Sequence, residues 1–229
     1  MFFWDQTFIL VIIGAVICLL AQARVKSTFG KYSKVRSMSG LTGYETAERI
    51  LRANGIYDVQ VGHVTGDLSD HYDPKNKILN LSDSTYSSTS VAAIGVAAHE
   101  CGHAIQHNLK YMPLSFRSGL VPVAKFGSMA AWPLIFVGFF IGGDSALILI
   151  DIGIILFSAS VLFQIITLPV EFNASKRAIA TLRGQAMLNE EELGQAKSVL
   201  TAASLTYLAA AAASILQLLR LFLLRGRRR

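Results

Sequence analysis

Ala97-Ala98-His99-Glu100-Cys101-Gly102-His103-Ala104-Ile105-Gln106-His107 is the stretch from which the rest of the chain is read. Its H-E-x-x-H core falls in the second half of a segment, Ser87 to Asn108, that reads as one long helix. Ser or Thr among Ser87 to Ser90 can cap that helix, and small residues fill its first half. Residues four apart lie on one helical face about a turn apart, so the imidazoles of His99 and His103 can grip one zinc ion. Glu100 follows the first ligand and can reach a water held there. It would act as general base while the metal lowers the water's pKa toward ~7. A helix with two hydrogen-bonded core histidines is the plain alternative.

Catalytic zinc takes three protein ligands and keeps one position open. At ~1.5 Å rise per residue, His107 lies roughly 12 Å along the axis from His99, so three histidines on one straight helix cannot converge. His107 is expected behind the ligands or at the surface. A metzincin would carry Gly and His where this chain has Gln106 and Leu109, which excludes that class. Glu171 is the better third ligand. It opens Glu171-Phe172-Asn173-Ala174-Ser175-Lys176-Arg177-Ala178, just after Pro169 at the end of an apolar run. A carboxylate there is costly to bury unless it is paired or metal-bound. Pairing with Lys176 or Arg177 is the alternative.

Outward from this site the chain is a membrane protein. Of its 229 residues 52% are hydrophobic and only 16% charged, against ~25% charged in soluble domains. The apolar residues cluster in four runs: Thr7 to Ala21, Leu120 to Gly142, Ala146 to Leu168 and Leu200 to Leu224. Each is near the ~20 residues that span a bilayer, except the shorter first. Positive residues follow the first run instead of preceding it, so it reads as an uncleaved anchor. Gly142-Gly143-Asp144-Ser145 reads as a tight turn that makes a hairpin of the second and third runs, and Pro169 ends or kinks the third. The organisation is an anchor over 1–23, a zincin-like domain over 24–118, a membrane hairpin over 119–170, a helical segment with the third ligand over 171–199, and a last membrane helix with a basic tail over 200–229. The fold expected is mainly α, with about four transmembrane helices and a small β-sheet.

The net charge of +6 comes from basic residues flanking apolar runs. It fits anchoring at an anionic leaflet of the lipid bilayer and not nucleic-acid binding. Arg24, Lys26, Lys31, Lys34 and Arg36, with Lys176, Arg177 and Arg183, argue for a cytoplasmic site, and Arg225 to Arg229 argue for a cytoplasmic tail. Four spans cannot satisfy both, and the last run, weakened by Arg220 and alanines, is the suspect. Asp151 inside the third run could mark the start of a shorter helix. Cys18 and Cys101 are not expected to pair, and Cys101 fills a free place in the motif as a small packing residue.

The water-compatible segment carries an amphipathic helix over Leu41 to Asn54, capped by Thr42 or Ser39, with Gly55 past its end. Asp58 to Val64 and Lys77 to Ser82 read as strands, separated by the turn Asp73-Pro74-Lys75-Asn76. Lys77 to Ser82 is either an edge strand that pairs with substrate backbone or an ordinary core strand. Asp67, Asp70, His71 and Asp73 read as a solvated acidic loop. Arg177, His71 and Tyr72 have the chemistry to stabilise an oxyanion, with no spacing that selects among them.

H-E-x-G-H on one helix followed by a later E-F-x-A segment resembles the membrane gluzincins of the HtpX and CAAX-prenyl endopeptidase kind. Asp70-His71-Tyr72-Asp73-Pro74, Leu79-Asn80-Leu81-Ser82 and the His99 to His107 stretch resemble, more closely, the bacterial YugP-like neutral zinc metallopeptidases. The resemblance runs through essentially the whole chain. It implies zinc bound by His99, His103 and Glu171, with Glu100 as base, and hydrolysis of peptide bonds in membrane or membrane-proximal proteins at a bacterial plasma membrane. One place departs: the broader pattern often has Asp four residues after the ligand Glu, where this chain has Ser175. The alternative function is a non-proteolytic membrane scaffold that holds zinc for structure.

Overall fold

The computed structural model describes residues 5–141 and 144–227. The elements are α1 (Phe8–Tyr32), α2 (Gly43–Ala53), β1 (Gln60–Val64), β2 (His71–Asp73), β3 (Ile78–Ser82), α3 (Val91–Asn108), α4 (Met112–Ile141), α5 (Asp144–Gly184) and α6 (Glu190–Gly226). The protein is mainly helical with one small sheet. It forms two compact units: Gln22–Leu114 with Val170–Leu205, and Met1–Ala21 with Ser115–Pro169 and Thr206–Arg229.

The first of these units is built from well-capped helices around one core. Thr42 and Glu45 form a reciprocal capping box on α2: Thr42 Oγ1 accepts from Glu45 N–H at 3.1 Å, and Glu45 accepts from Thr42 N–H at 2.8 Å. Such a cap contributes about 1 kcal/mol. Asn54 caps the other end, and Gly55 beyond it has φ +70°, the left-handed turn that favours glycine. Asn189 and Glu192 make the same reciprocal pair at the start of α6, and the other Glu192 oxygen accepts from Met38 N–H at 2.6 Å. Asn189 to Glu192, just before the last apolar run, thus forms a helix cap. Ile50 and Leu51 of α2, Leu79 and Leu81 of β3, Ile94 of α3, and Leu182 of α5 meet in the core. Each buried aliphatic chain contributes ~1.5–3 kcal/mol.

The sheet order is β1-β3-β2, with β1 parallel and β2 antiparallel to β3. The sheet decides one open reading and corrects one expectation. The segment Lys77 to Ser82 is not an edge: β3 is the central strand, its backbone groups are taken by both neighbours, and Leu79 and Leu81 are fully buried. Part of the supposed acidic loop is a strand, β2. Asp70 fixes it by accepting from Ser82 N–H and Oγ–H, both at 2.8 Å. Asp73 organises the following turn by accepting from the N–H groups of Lys75 and Asn76.

Helices α1, α4, α5 and α6 are long and apolar enough to cross a membrane. The last run is thus as competent to span as the others, despite Arg220. In this second unit small residues allow close helix packing, as in other membrane bundles: Gly14 sits against Ala213, Gly127 against Leu156, and Gly153 against Ala131 and Ile135. Buried Arg220 lies 3.6 Å from Asp5 and over the Phe8 ring. Asp151 does not start a helix. It lies within α5 and takes a bidentate bond from Arg225 at 2.8 and 2.7 Å. Pro169 does not end α5, which continues as helix to Gly184, so the 170/171 boundary drawn from the sequence falls inside one helix. Of the expected hairpin turn, Gly142 and Gly143 lie outside the described residues, as do tail residues Arg228 and Arg229.

Candidate metal centre

Helix α3 begins at the N-cap Ser90, whose Oγ accepts from Ala93 N–H at 3.2 Å. Its small residues let two helices approach: Gly95 faces Ala196 of α6, and Gly102 faces Ala174 of α5. The second approach brings Glu171 of α5 to His99 and His103. One Glu171 carboxylate oxygen, Oε2, lies 3.3 Å from His99 Nε2 and 3.5 Å from His103 Nε2. The ligand atoms of the three residues all lie within 4.8 Å of one another. Glu171 is 1% exposed, while each histidine side chain keeps 12% of its surface open. Its carboxylate thus pairs with the histidines. Lys176 is exposed, and Arg177 donates to Asn173 Oδ1 at 2.7 Å.

The remaining nitrogen of each histidine is held from behind. His99 Nδ1 is 3.1 Å from Ser175 Oγ, which in turn is 3.5 Å from Ser204 Oγ. His103 Nδ1 is 3.1 Å from Gln106 Oε1. Gln106, fully buried, donates its amide to the Val170 carbonyl at 2.8 Å and to Asn173 Oδ1 at 3.0 Å. With its NH2 spent on those acceptors, Gln106 offers only an acceptor to His103 and favours the tautomer with hydrogen on Nδ1. Nε2 of His103 is then a lone-pair donor facing Glu171. Sequence reading missed Gln106. Its signal was available: three residues past His103, it lies on the same helical face.

The donor set fits zinc. Two imidazole Nε2 atoms and a carboxylate oxygen match zinc's usual ligands, and a tetrahedron with ~2.0–2.1 Å bonds has edges of about 3.4 Å. The observed Nε2 to Oε2 separations of 3.3 and 3.5 Å agree with that edge. Burial disfavours the charged form of His103, but in that form its hydrogen bond to the Glu171 carboxylate and the charges of Glu100 and Glu171 outweigh the cost and raise its pKa. Glu100 is itself 8% exposed. Cys101 points the other way, toward the Ala47 carbonyl of α2 at 3.7 Å. Burial first, then the charges of Glu100 and Glu48, push its thiol pKa well up, so it stays protonated.

The remaining candidates fall elsewhere. His107 is joined to Tyr72 Oη by its Nδ1 at 2.8 Å and is no member of the cluster. Burial, with the charges of Asp58 and Asp73, raises the Tyr72 hydroxyl to about 12, so it remains a donor. His71 is tied to the Ser69 carbonyl and to Asn80. Arg177 lies behind His103 through Asn173, its guanidinium 5.9 Å from the Tyr111 ring centre.

Comparison with known proteins gives the family. A family described as "putative neutral zinc metallopeptidase" matches residues 7–226. A protein of Bacillus subtilis (strain 168) named "putative membrane protease YugP" is 52% identical over 200 residues, covering 87% of this chain and 88% of that protein. No solved structure matches.

Proposed function

The chain belongs to the neutral zinc metallopeptidase family, and on that premise we propose that it is a membrane-bound endopeptidase of the gluzincin type, cleaving peptide bonds in membrane or membrane-proximal proteins. The observation that carries this reading is the meeting of His99, His103 and Glu171 from two helices. These three residues would hold the metal. A zinc ion there would supply Lewis-acid polarisation of a carbonyl and a water acidified toward ~7. Glu100, adjacent on α3, takes the proton of the attacking water on its carboxylate and delivers it to the departing amine. Ser175 and Gln106 keep the two imidazoles oriented. A substrate strand would add to the sheet at an edge, β1 or β2, since β3 is closed on both sides.

A structural zinc is closed by four protein donors and needs no buried acid beside it. The cluster among the described residues has three donors, with Glu100 next to the first, which favours an enzyme over a scaffold. The test is Glu100→Gln. It should retain zinc and fold and lose cleavage of an unfolded membrane protein or peptide. Cleavage at the unaltered rate would refute the mechanism.

A further inference from the structure

Helix α5 presents two neighbouring stripes. One, with Glu171, Ala174, Ala178 and Leu182, is buried. The other, with Phe172, Lys176, Ile179 and Arg183, follows the three- and four-residue spacing of a single helical face. It lines a groove of about 490 Å³ against the Lys197, Leu200 and Leu205 side of α6. This groove lies wholly within one compact unit.

Its chemistry is amphiphilic and one-signed. Phe172, Ile179, Leu200 and Leu205 make apolar walls, and every charged side chain lining it is a cation: Lys176, Arg183 and Lys197. Arg183 is engaged by Glu190 through two bonds of 3.0 and 2.8 Å. Lys176 and Lys197 have no carboxylate partner among the described residues. α5 passes Phe172, Lys176, Ile179 and Arg183 in turn, while α6 passes Lys197, Leu200 and Leu205. Arg183 pairs with Glu190 and Ser175 Oγ lies 3.5 Å from Ser204 Oγ, so the two helices run side by side in opposite directions. Phe172 and Leu205 therefore stand toward one end of the groove and Arg183 and Lys197 toward the other, with Lys176 one turn from Phe172 and the apolar Ile179 and Leu200 between the two lysines.

We infer that this groove binds one anionic phospholipid, with its phosphate on Lys176 and Lys197 and an acyl chain along Phe172, Ile179, Leu200 and Leu205. Charge complementarity selects the anion, since basic side chains attract anionic headgroups over zwitterionic ones. The apolar walls select a chain attached to it, which free phosphate lacks. An acidic peptide is the poorer occupant, because its backbone would face helices whose own N–H and C=O groups are already paired. The groove shares Ser175 with the metal centre, through the 3.1 Å contact to His99, yet the inference does not rest on the peptidase reading, because binding is measurable in protein that cannot cleave.

The experiment uses full-length Glu100→Gln protein in detergent, offered phosphatidylglycerol or phosphatidylcholine and read by native mass spectrometry. A single phosphatidylglycerol should be retained, about tenfold or more over phosphatidylcholine, the order expected of two lysines at an anionic headgroup. The double substitution Lys176→Gln with Lys197→Gln should abolish that preference. Ala180→Trp, which fills the groove from α5 without changing its charge, should abolish retention, and Thr201→Trp does the same from α6 should Ala180→Trp fail to fold. Lys31→Gln, a basic position on α1 outside the groove, should leave retention unchanged. Equal retention of the two lipids, unchanged retention in the folded tryptophan variants, equal loss in Lys31→Gln, or displacement by inorganic phosphate or an acidic peptide at equal concentration would each overturn the assignment.

Discussion

Gly102 lies so close to Ala174 that a Cβ on it would sit 2.6 Å from the Ala174 carbonyl oxygen and 3.1 Å from its Cα. No side chain fits there, so α3 and α5 touch through backbone, three residues beyond Glu171 in α5. Gly102→Ala makes a test with a diagnostic sign. By helix propensity alone it would stabilise α3 by ~1 kcal/mol. By overpacking it should instead cost about 1–3 kcal/mol and push α5 away. The expected outcome is a lower melting temperature together with weaker zinc binding in chelator competition. A more stable variant with unchanged zinc affinity would show that the approach is not what sets the centre.

Gln106 should behave as a positioning residue for His103. Gln106→Leu leaves the Val170 carbonyl and His103 Nδ1 without their partner, costing about 1–3 kcal/mol of stability. Zinc affinity should fall by roughly 10- to 100-fold, the usual effect of losing a group that orients a ligand. Chelator competition at matched folded fraction separates the two effects. Unchanged affinity would reduce Gln106 to a packing role.

Ser175 stands where the resembled pattern often has an aspartate, and its hydroxyl reaches His99 Nδ1. Ser175→Ala should weaken zinc by about tenfold with little change in melting, since the hydroxyl is small. Ser175→Asp should recover or exceed the original affinity, because a carboxylate accepts more strongly from an imidazole N–H. Titration of both variants with zinc checks this, and an aspartate variant weaker than the alanine one would count against the orienting role.

Legibility in the sequence followed the range of the signals. The helix of His99 and His103 could be read because its spacing is local, and the four apolar helices because their hydropathy is. The partner Glu171 could be singled out as a carboxylate beside an apolar run. What escaped depends on contacts distant in sequence. β2 is three residues long and stabilised by Asp70 reaching Ser82, so its polar sequence read as loop. β3 read as a possible edge because strand order is invisible along the chain. Pro169 suggested an end or a kink, and α5 runs on through it to Gly184. Asp151 looked like a helix start because its partner, Arg225, lies at the far end of the chain.

Glu171 and His107 provide the last test, and the two must be read together. Both are acid–base side chains within reach of α3 in sequence logic, but the structure separates them: Glu171 meets both His99 and His103, while His107 is held by Tyr72. Glu171→Ala removes the buried carboxylate proposed as third ligand, so zinc affinity should fall by more than the ~10- to 100-fold of an orienting group. Glu171→Gln keeps the shape but loses the charge, and should bind zinc less tightly than the unaltered chain while remaining folded. Glu171→Asp, one methylene short, should fall between the original and alanine. His107→Ala should leave zinc content unchanged, because only the bond to Tyr72 is lost. Zinc stoichiometry by elemental analysis after dialysis against a weak chelator reads all four. If His107→Ala strips the metal while Glu171→Ala does not, the third ligand must be reassigned, and the close approach of α3 and α5 at Gly102 needs another explanation.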